Sequence, residues 1–225
     1  MRARGVLSLL LFFSLSAPLR APADAADRIF IRPWIELEPL AQIGPGPYPI
    51  PTAAAEKALL EIGRMVISGM VYGWAFDYEP GDRARRVQER FVLTPLAEVP
   101  WGSPRLRVTE TEPTDTRLWA RIVYALDDEE SRRRQAWDSN TADLSSGLGT
   151  APIPRGDAGR RASLDSAIRD AIRRSLDTRY VNKPREVTGE VVLWTEPSVI
   201  AHSGLWRTTV TVKILVREIV PYRIF

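Results

Sequence analysis

The stretch Ala55–Glu79, AEKALLEIGRMVISGMVYGWAFDYE, changes its period halfway along. In the first half Ala55, Ala58, Leu59, Ile62, Met65 and Val66 recur at three- and four-residue steps. That spacing lines apolar side chains along one face of a helix. In the second half Met70, Tyr72, Trp74, Phe76 and Tyr78 alternate with Val71, Gly73, Ala75 and Asp77. That is the two-residue period of a strand. The stretch predicts a helix capped at Thr52 and ending near Ser68, followed at once by a strand.

Working outward, Pro80-Gly81-Asp82 is a turn, and Val87, Glu89, Phe91 and Leu93 read as the return strand. Arg105 to Glu112 and Arg117 to Leu126 flank Pro113-Thr114-Asp115 and predict a second hairpin. Further on, Leu164, Ala167, Ile168, Ala171, Ile172, Ser175 and Leu176 form the stripe of a second helix, with Ser163 as its N-cap. Two strands follow, Val187 to Trp194 and Leu205 to Glu218. In the latter Trp206, Thr208, Val210, Val212, Ile214 and Val216 share one face, so one side is buried and the other wet.

The expected fold is α+β: two helices packed on antiparallel β-hairpins. The domain map has five parts. Residues 1–25 are a signal peptide, and residues 26–51 are an extended Pro-rich segment containing a short edge strand at Ile29 to Leu37. Residues 52–126 hold a helix and two hairpins. Residues 127–160 form a polar loop, because DDEESRRR is a charge run and Asn140 to Gly159 is rich in Ser, Gly and Pro. Residues 161–225 hold a helix and a long hairpin, packed with 52–126 as one domain.

The leader reading rests on Arg2 and Arg4, the apolar run Gly5 to Ala17, and Ala23-Asp24-Ala25 before a cleavage near Ala26. It predicts export to the periplasm or beyond. The chain has no cysteine, so disulfides, thiol catalysis and lipid anchoring are excluded. Losing Arg2, Arg4, Arg20 and Asp24 takes the formal charge from +3 to +1. That balance argues against a nucleic-acid partner. No later segment has the length of a transmembrane helix. The terminal stretch Val216 to Phe225 does not read as a closing barrel strand, since Pro221 breaks its alternation.

A short motif occurs twice. Thr111-Glu112-Pro113 precedes Leu118-Trp119, and Thr195-Glu196-Pro197 precedes Leu205-Trp206. Each copy spans a strand, a turn and a strand, with a helix upstream. The repetition predicts two related helix–strand–strand units. Recurrent turn chemistry with a hydrophobic strand anchor is the other explanation.

Ser166 to Leu176, Val187 to Trp194 and Thr209 to Val216 together resemble the helix-plus-strands module of periplasmic flagellar assembly protein T and related surface lipoproteins. The small residues of that module's helix are matched at Ala167 and Ala171, with Ser175 in the third place. The likeness covers about the last third of the chain, and the lipidation cysteine of the lipoprotein relatives is missing. It implies a binding or scaffolding module of the cell envelope without a known catalytic centre.

Residues for catalysis are sparse. His202 is the only histidine, and it sits in a turn between Ser198 and Gly204. That placement argues against a metal centre or a triad. No phosphate-binding glycine loop is present. No cofactor and no metal are expected. The candidate surface is the aromatic row Tyr72, Trp74, Phe76 and Tyr78, which either binds a partner or ligand or lies under the helices as core. The expected function is a non-enzymatic envelope protein with a protein partner, in a binding or assembly role and with a flagellar connection in view. The alternative is a secreted hydrolase or carbohydrate-binding protein using that row.

Overall fold

The computed structural model describes residues 28–38, 50–139, 141–180 and 182–222. The leader at 1–25 and half of the Pro-rich segment lie outside the described residues.

The chain enters as β1 (Arg28–Ile31) and β2 (Trp34–Glu36), one strand broken at Pro33. Proline cannot donate to a ladder and is confined to edges. Helix α1 (Thr52–Val71) follows, and Thr52 is its first residue rather than its cap, which is Pro51. The helix runs three residues past the expected end. Tyr72 caps it, Gly73 turns the chain at φ +70°, and β3 (Trp74–Glu79) starts there. β4 (Arg90–Pro95) returns along β3, and β5 (Leu106–Pro113) and β6 (Arg117–Ala125) make the second hairpin.

The polar loop expected at 127–160 is a correction. It holds helix α2 (Asp128–Ala136), strand β7 (Asp143–Pro152), a 3₁₀ turn at Ile153–Arg155 and the first turns of α3 (Gly156–Arg179). The charge run is helical because Asp127 and Glu130 form a reciprocal capping box. β7 has a strand's pairing without its composition: all ten residues from Asp143 to Pro152 register against the final strand. Its glycines make room for α3. Cβ atoms at Gly147 and Gly149 would sit 2.1 Å from Ala167 O and 2.0 Å from Ser163 O. Ser163 is thus no cap. It is buried inside α3, and its hydroxyl lies 2.6 Å from that of Thr208.

β8 (Glu186–Leu193), β9 (Ser198–His202) and β10 (Leu205–Val220) complete the chain. The turn expected between Ser198 and Gly204 is mostly strand. The reversal takes only Ser203 (φ +50°) and Gly204 (φ +75°), the two left-handed positions of a type I′ hairpin.

The described residues thus form an α+β fold with three helices and ten strands, all paired antiparallel. In the first sheet β6 is central, with β1 and β2 in line along one side and β5 along the other. The second sheet runs β4-β3-β8-β10-β7, with β9 in line with β8 on the same side of β10. Helix α1 packs between β6 and β8, and α3 lies across β7 and β10. One continuous core joins them through Leu59, Ile67, Ile122, Tyr124, Ile168, Ile172, Val191 and Ile214. A single core of this extent supplies most of the driving force, at roughly 25 cal/mol per Å² of apolar area removed from water.

Candidate functional site

The two sheets approach each other where β1 breaks into β2. Trp34, at the start of β2, stands at the centre of an indole cluster. Trp119 of β6 lies 5.9 Å away and Trp206 of β10 lies 6.0 Å away, centroid to centroid. Arginines fill the spaces between the rings. Arg117 covers Trp34 at 4.1 Å, Arg160 lies 4.2 Å from Trp34 and 4.3 Å from Trp206, and Arg32 lies 5.4 Å from Trp119. Guanidinium planes suit this role because they stack on aromatic faces and are weakly hydrated.

A cleft of about 630 Å³ opens beside the cluster. Its walls include Ile62 of α1, Arg160 of α3, Trp119 of β6, the segment Arg32–Trp34, and Ser198–Ala201 of β9. That volume is in the range of ligand-binding clefts. Arg160 is its most unusual group. It is 8% exposed, and Nη1 donates to Trp34 O at 2.6 Å. It has no carboxylate within ion-pair distance among the described residues, and Nη2 has no hydrogen-bond partner. Burial pushes its pKa down to about 10, with Asp157 and Glu36 pulling the other way, so it stays charged at neutral pH. Trp206 Nε1 is likewise buried without an acceptor. Two stacked side chains therefore each hold a buried donor with nothing to donate to, a state that costs about 1–3 kcal/mol per group.

The residues of the repeated motif meet here. Glu112 pairs with the Arg32 guanidinium, and Glu196 accepts the Arg32 backbone N–H at 2.9 and 3.0 Å. Trp119 and Trp206 flank Trp34 from opposite sheets. Both glutamates and both tryptophans of the motif thus converge on Arg32–Trp34. Trp206 is buried and Trp119 half-buried.

The aromatic row is elsewhere and is not an open face, which corrects the candidate surface. Phe76 and Tyr78 are buried in the core, and Tyr78 stacks on Phe91 with centroids 4.7 Å apart. Trp74 is half-buried against Gly69 and lines a smaller cleft of about 190 Å³. Tyr72 belongs to the helix cap rather than the strand, and its hydroxyl donates to Glu130. The row lies under the helices because α1 leads straight into β3.

Glu130 is 3% exposed and holds α2 in place. Tyr124 Oη donates to it at 2.8 Å, Arg105 Nη1 at 2.6 Å, and the Asp127 N–H at 2.9 Å, besides Tyr72. Burial alone would raise this carboxyl; the donors outweigh burial and hold it below the ordinary carboxylate range. Burial and the same carboxylate push the Tyr72 phenol up to about 12. The network's geometry, a buried carboxylate held by four donors, is that of an anchor. His202 is exposed at the end of β9. Among the described residues no three His, Asp or Glu side chains cluster as a metal site would need, and no helix is long and apolar enough to cross a membrane.

A protein-family model matches residues 16–222, nearly the whole chain. The chain belongs to that family. An "uncharacterized protein" of Treponema pallidum (strain Nichols) is 26% identical over 192 residues, which cover 85% of this chain and 81% of that relative. No solved structure matches at a significant level. Every residue of the cleft, from Arg32 to Ala201, falls within the family span.

Sequence reasoning found the cleft only indirectly. The repeated Thr-Glu-Pro and Leu-Trp were its only signal: Trp119 and Glu196 line it, while Glu112 and Trp206 contact Arg32 and Trp34. Trp34 and Arg160 carry no such signal. Trp34 sits in a short strand, and Arg160 lies among other arginines on a helix read as starting after it.

Proposed function

We propose that this family member is a non-enzymatic exported protein that acts in the periplasm by binding another component of the cell envelope, and that the cleft beside Trp34 is where it binds. The single observation that carries this reading is the cleft itself, where apolar groups such as Ile62, Met65 and Val199 stand beside charged ones and a buried Arg160 that has no carboxylate partner among the described residues. Ligand sites commonly join an apolar concavity to a few polar groups that fix orientation. The leader pattern of residues 1–25 supports export. The likeness of the C-terminal third to the flagellar assembly module supports an assembly role, with the flagellum as one setting. The two motif copies differ in setting, since one turn joins Pro113 to β6 whereas β9 lies between Pro197 and β10. The hydrolase or carbohydrate-binding alternative has less support, because Phe76 and Tyr78 of the aromatic row are buried.

The test has two parts. The exported protein should begin near Ala26 on N-terminal sequencing and remain soluble without detergent; a product starting at Met1 and sedimenting with membranes would refute export. Envelope extract should then be passed over the wild-type protein and over Ala58→Phe, which fills the cleft from α1. A partner held by wild type and lost by the variant is expected. Identical captures by both proteins would refute binding at the cleft.

A further inference from the structure

We infer that the occupant of the cleft is an extended peptide, which adds as a strand to the free edge of β9 and sets a carboxylate against Arg160. This rests on the cleft being the binding site and specifies what it binds.

The first observation concerns which residues form the wall. Side chains of a strand alternate between the two faces of its sheet. A pocket lying on a sheet face therefore touches every second residue. Here Ser198, Val199, Ile200 and Ala201 all line the cleft in succession. Consecutive residues meet a cavity when it lies along the strand's edge, so the wall is the backbone of β9 itself. Among the described residues β9 pairs with β10 alone, and its other edge faces the cleft.

The second observation is that the other sheet edges are protected and this one is not. An open edge is a template for pairing, and proteins blunt it with charges, prolines, bulges or cover. On β7, the Leu148 N–H is taken by Asp170 at 2.8 Å, and Ser145 is tied to Ala171 O. On β4, the Phe91 carbonyl accepts from Arg169. β5 carries a bulge between Val108 and Glu110, the charges of Arg107, Glu110 and Glu112, and Pro113. The β1–β2 edge is broken at Pro33, and its Trp34 carbonyl accepts from Arg160. β9 reads Ser-Val-Ile-Ala-His, with no acid, no proline and no bulge, and Ile200 is 50% exposed.

The third observation is charge. Arg160 lines the same cleft, is nine-tenths buried, and has no carboxylate within ion-pair distance among the described residues. Its Nη2 is a donor without an acceptor, and the cleft wall carries Arg32, Arg117, Arg160 and Arg161 against Glu61, Asp157 and Glu196. A carboxylate set against Arg160 balances that surplus of one cation and supplies the counter-ion that Arg160 lacks among the described residues. Backbone pairing gives such a complex its affinity, and side-chain pockets and the anion give it direction. The carboxylate comes either from the peptide's C-terminus or from an Asp or Glu side chain.

A display library of random octapeptides with free C-termini, panned on the exported chain, tests this. Enriched peptides are resynthesised as acids, as C-terminal amides, with Asp and Glu changed to Asn and Gln, and with N-methyl groups at alternate residues. Binding is read by fluorescence anisotropy. N-methylation in one register should weaken binding at least tenfold, because it removes the donors facing β9. Loss of one carboxylate should do the same, and whether the amide or the side-chain change does it names the source. Arg160→Met should also weaken binding tenfold with its melting temperature preserved; should that variant not fold, the peptide series on wild type decides. Harmless N-methylation in both registers, or affinity within twofold after every carboxylate is removed, overturns the inference. A further arm uses dodecanoate, a carboxylate on a bare alkyl chain. Failure of all peptides, with dodecanoate quenching tryptophan fluorescence in wild type and not in Ala58→Phe, overturns the peptide and leaves the cleft standing. Failure of both probes overturns the two readings together.

Discussion

Replacing Gly147 or Gly149 of β7 by alanine should destabilise the protein, although alanine normally improves on glycine inside a strand by about 0.5–1 kcal/mol. Neither glycine is in the left-handed region, so backbone strain has no part in the effect. The cause is distance. A Cβ at Gly147 would lie 2.1 Å from Ala167 O and 2.4 Å from Ala171 N, and one at Gly149 would lie 2.0 Å from Ser163 O and 2.3 Å from Ala167 N. These are backbone atoms, so no side-chain rotation relieves the clash. Restoring a contact of about 3.4 Å requires α3 and β7 to separate by about 1.3–1.4 Å. That movement would also stretch the Ser163–Thr208 bond at 2.6 Å, the Ser145–Ala171 bond at 2.8 Å and the Leu148–Asp170 bond at 2.8 Å. Overpacking typically costs about 1–3 kcal/mol, and a clash with backbone belongs at the upper end of that range. The double substitution should cost less than the two singles added together. Ser163, Ala167 and Ala171 follow one another at four-residue steps along α3, so one displacement serves both sites. Urea melts of the three variants measure this through the midpoint at constant slope. A neutral or stabilising single alanine would refute the close packing of α3 on β7, and strict additivity would refute the shared displacement.

Trp206→Ala should cost about 3–5 kcal/mol, the range for a large buried aromatic. Trp119→Ala should cost clearly less, because Trp119 is half-buried while Trp206 is 5% exposed. Equal losses in denaturant melts would show that the two motif copies are equivalent core anchors. Glu130→Gln should cost about 2–3 kcal/mol, since it weakens several hydrogen bonds to a buried charge. Its pH dependence has a definite sign. The folded-state pKa lies below the unfolded value of about 4.3, so the Glu130 contribution is present above that pH and fades as pH falls through the folded value. The gap in stability between wild type and Glu130→Gln should therefore narrow in acid, and a gap that widens below pH 4 would refute the assignment. His202→Ala, at the exposed end of β9, should shift stability by less than about 0.5 kcal/mol by thermal melting. A larger loss would place His202 in a packed contact.

The sequence by itself determined the elements whose periodicity is set by one buried face. The helix-to-strand switch in Ala55–Glu79, the stripe Leu164–Leu176 and the alternation of Trp206 to Val216 each record which side of an element meets the core. The first helix and the last strand end within three residues of that reading, whereas α3 begins seven residues before its expected cap, Ser163. β7 was illegible because its composition answers to α3 rather than to strand propensity. Glycine and serine are there to let a helix backbone approach, and in isolation they read as loop. Helix α2 was illegible because its only buried side chain, Glu130, is an acid, and burial of an acid depends on donors brought from Tyr72, Tyr124 and Arg105. The fate of the aromatic row was decided by what lies on top of β3. The cleft belongs wholly to tertiary structure. Arg32, Trp34, Trp119, Arg160 and β9 are far apart in sequence, and their types alone carry no periodic signal. They become a site only when the β1–β2 break and the free edge of β9 come together from two sheets, leaving a buried Arg160 with no carboxylate partner among the described residues between them.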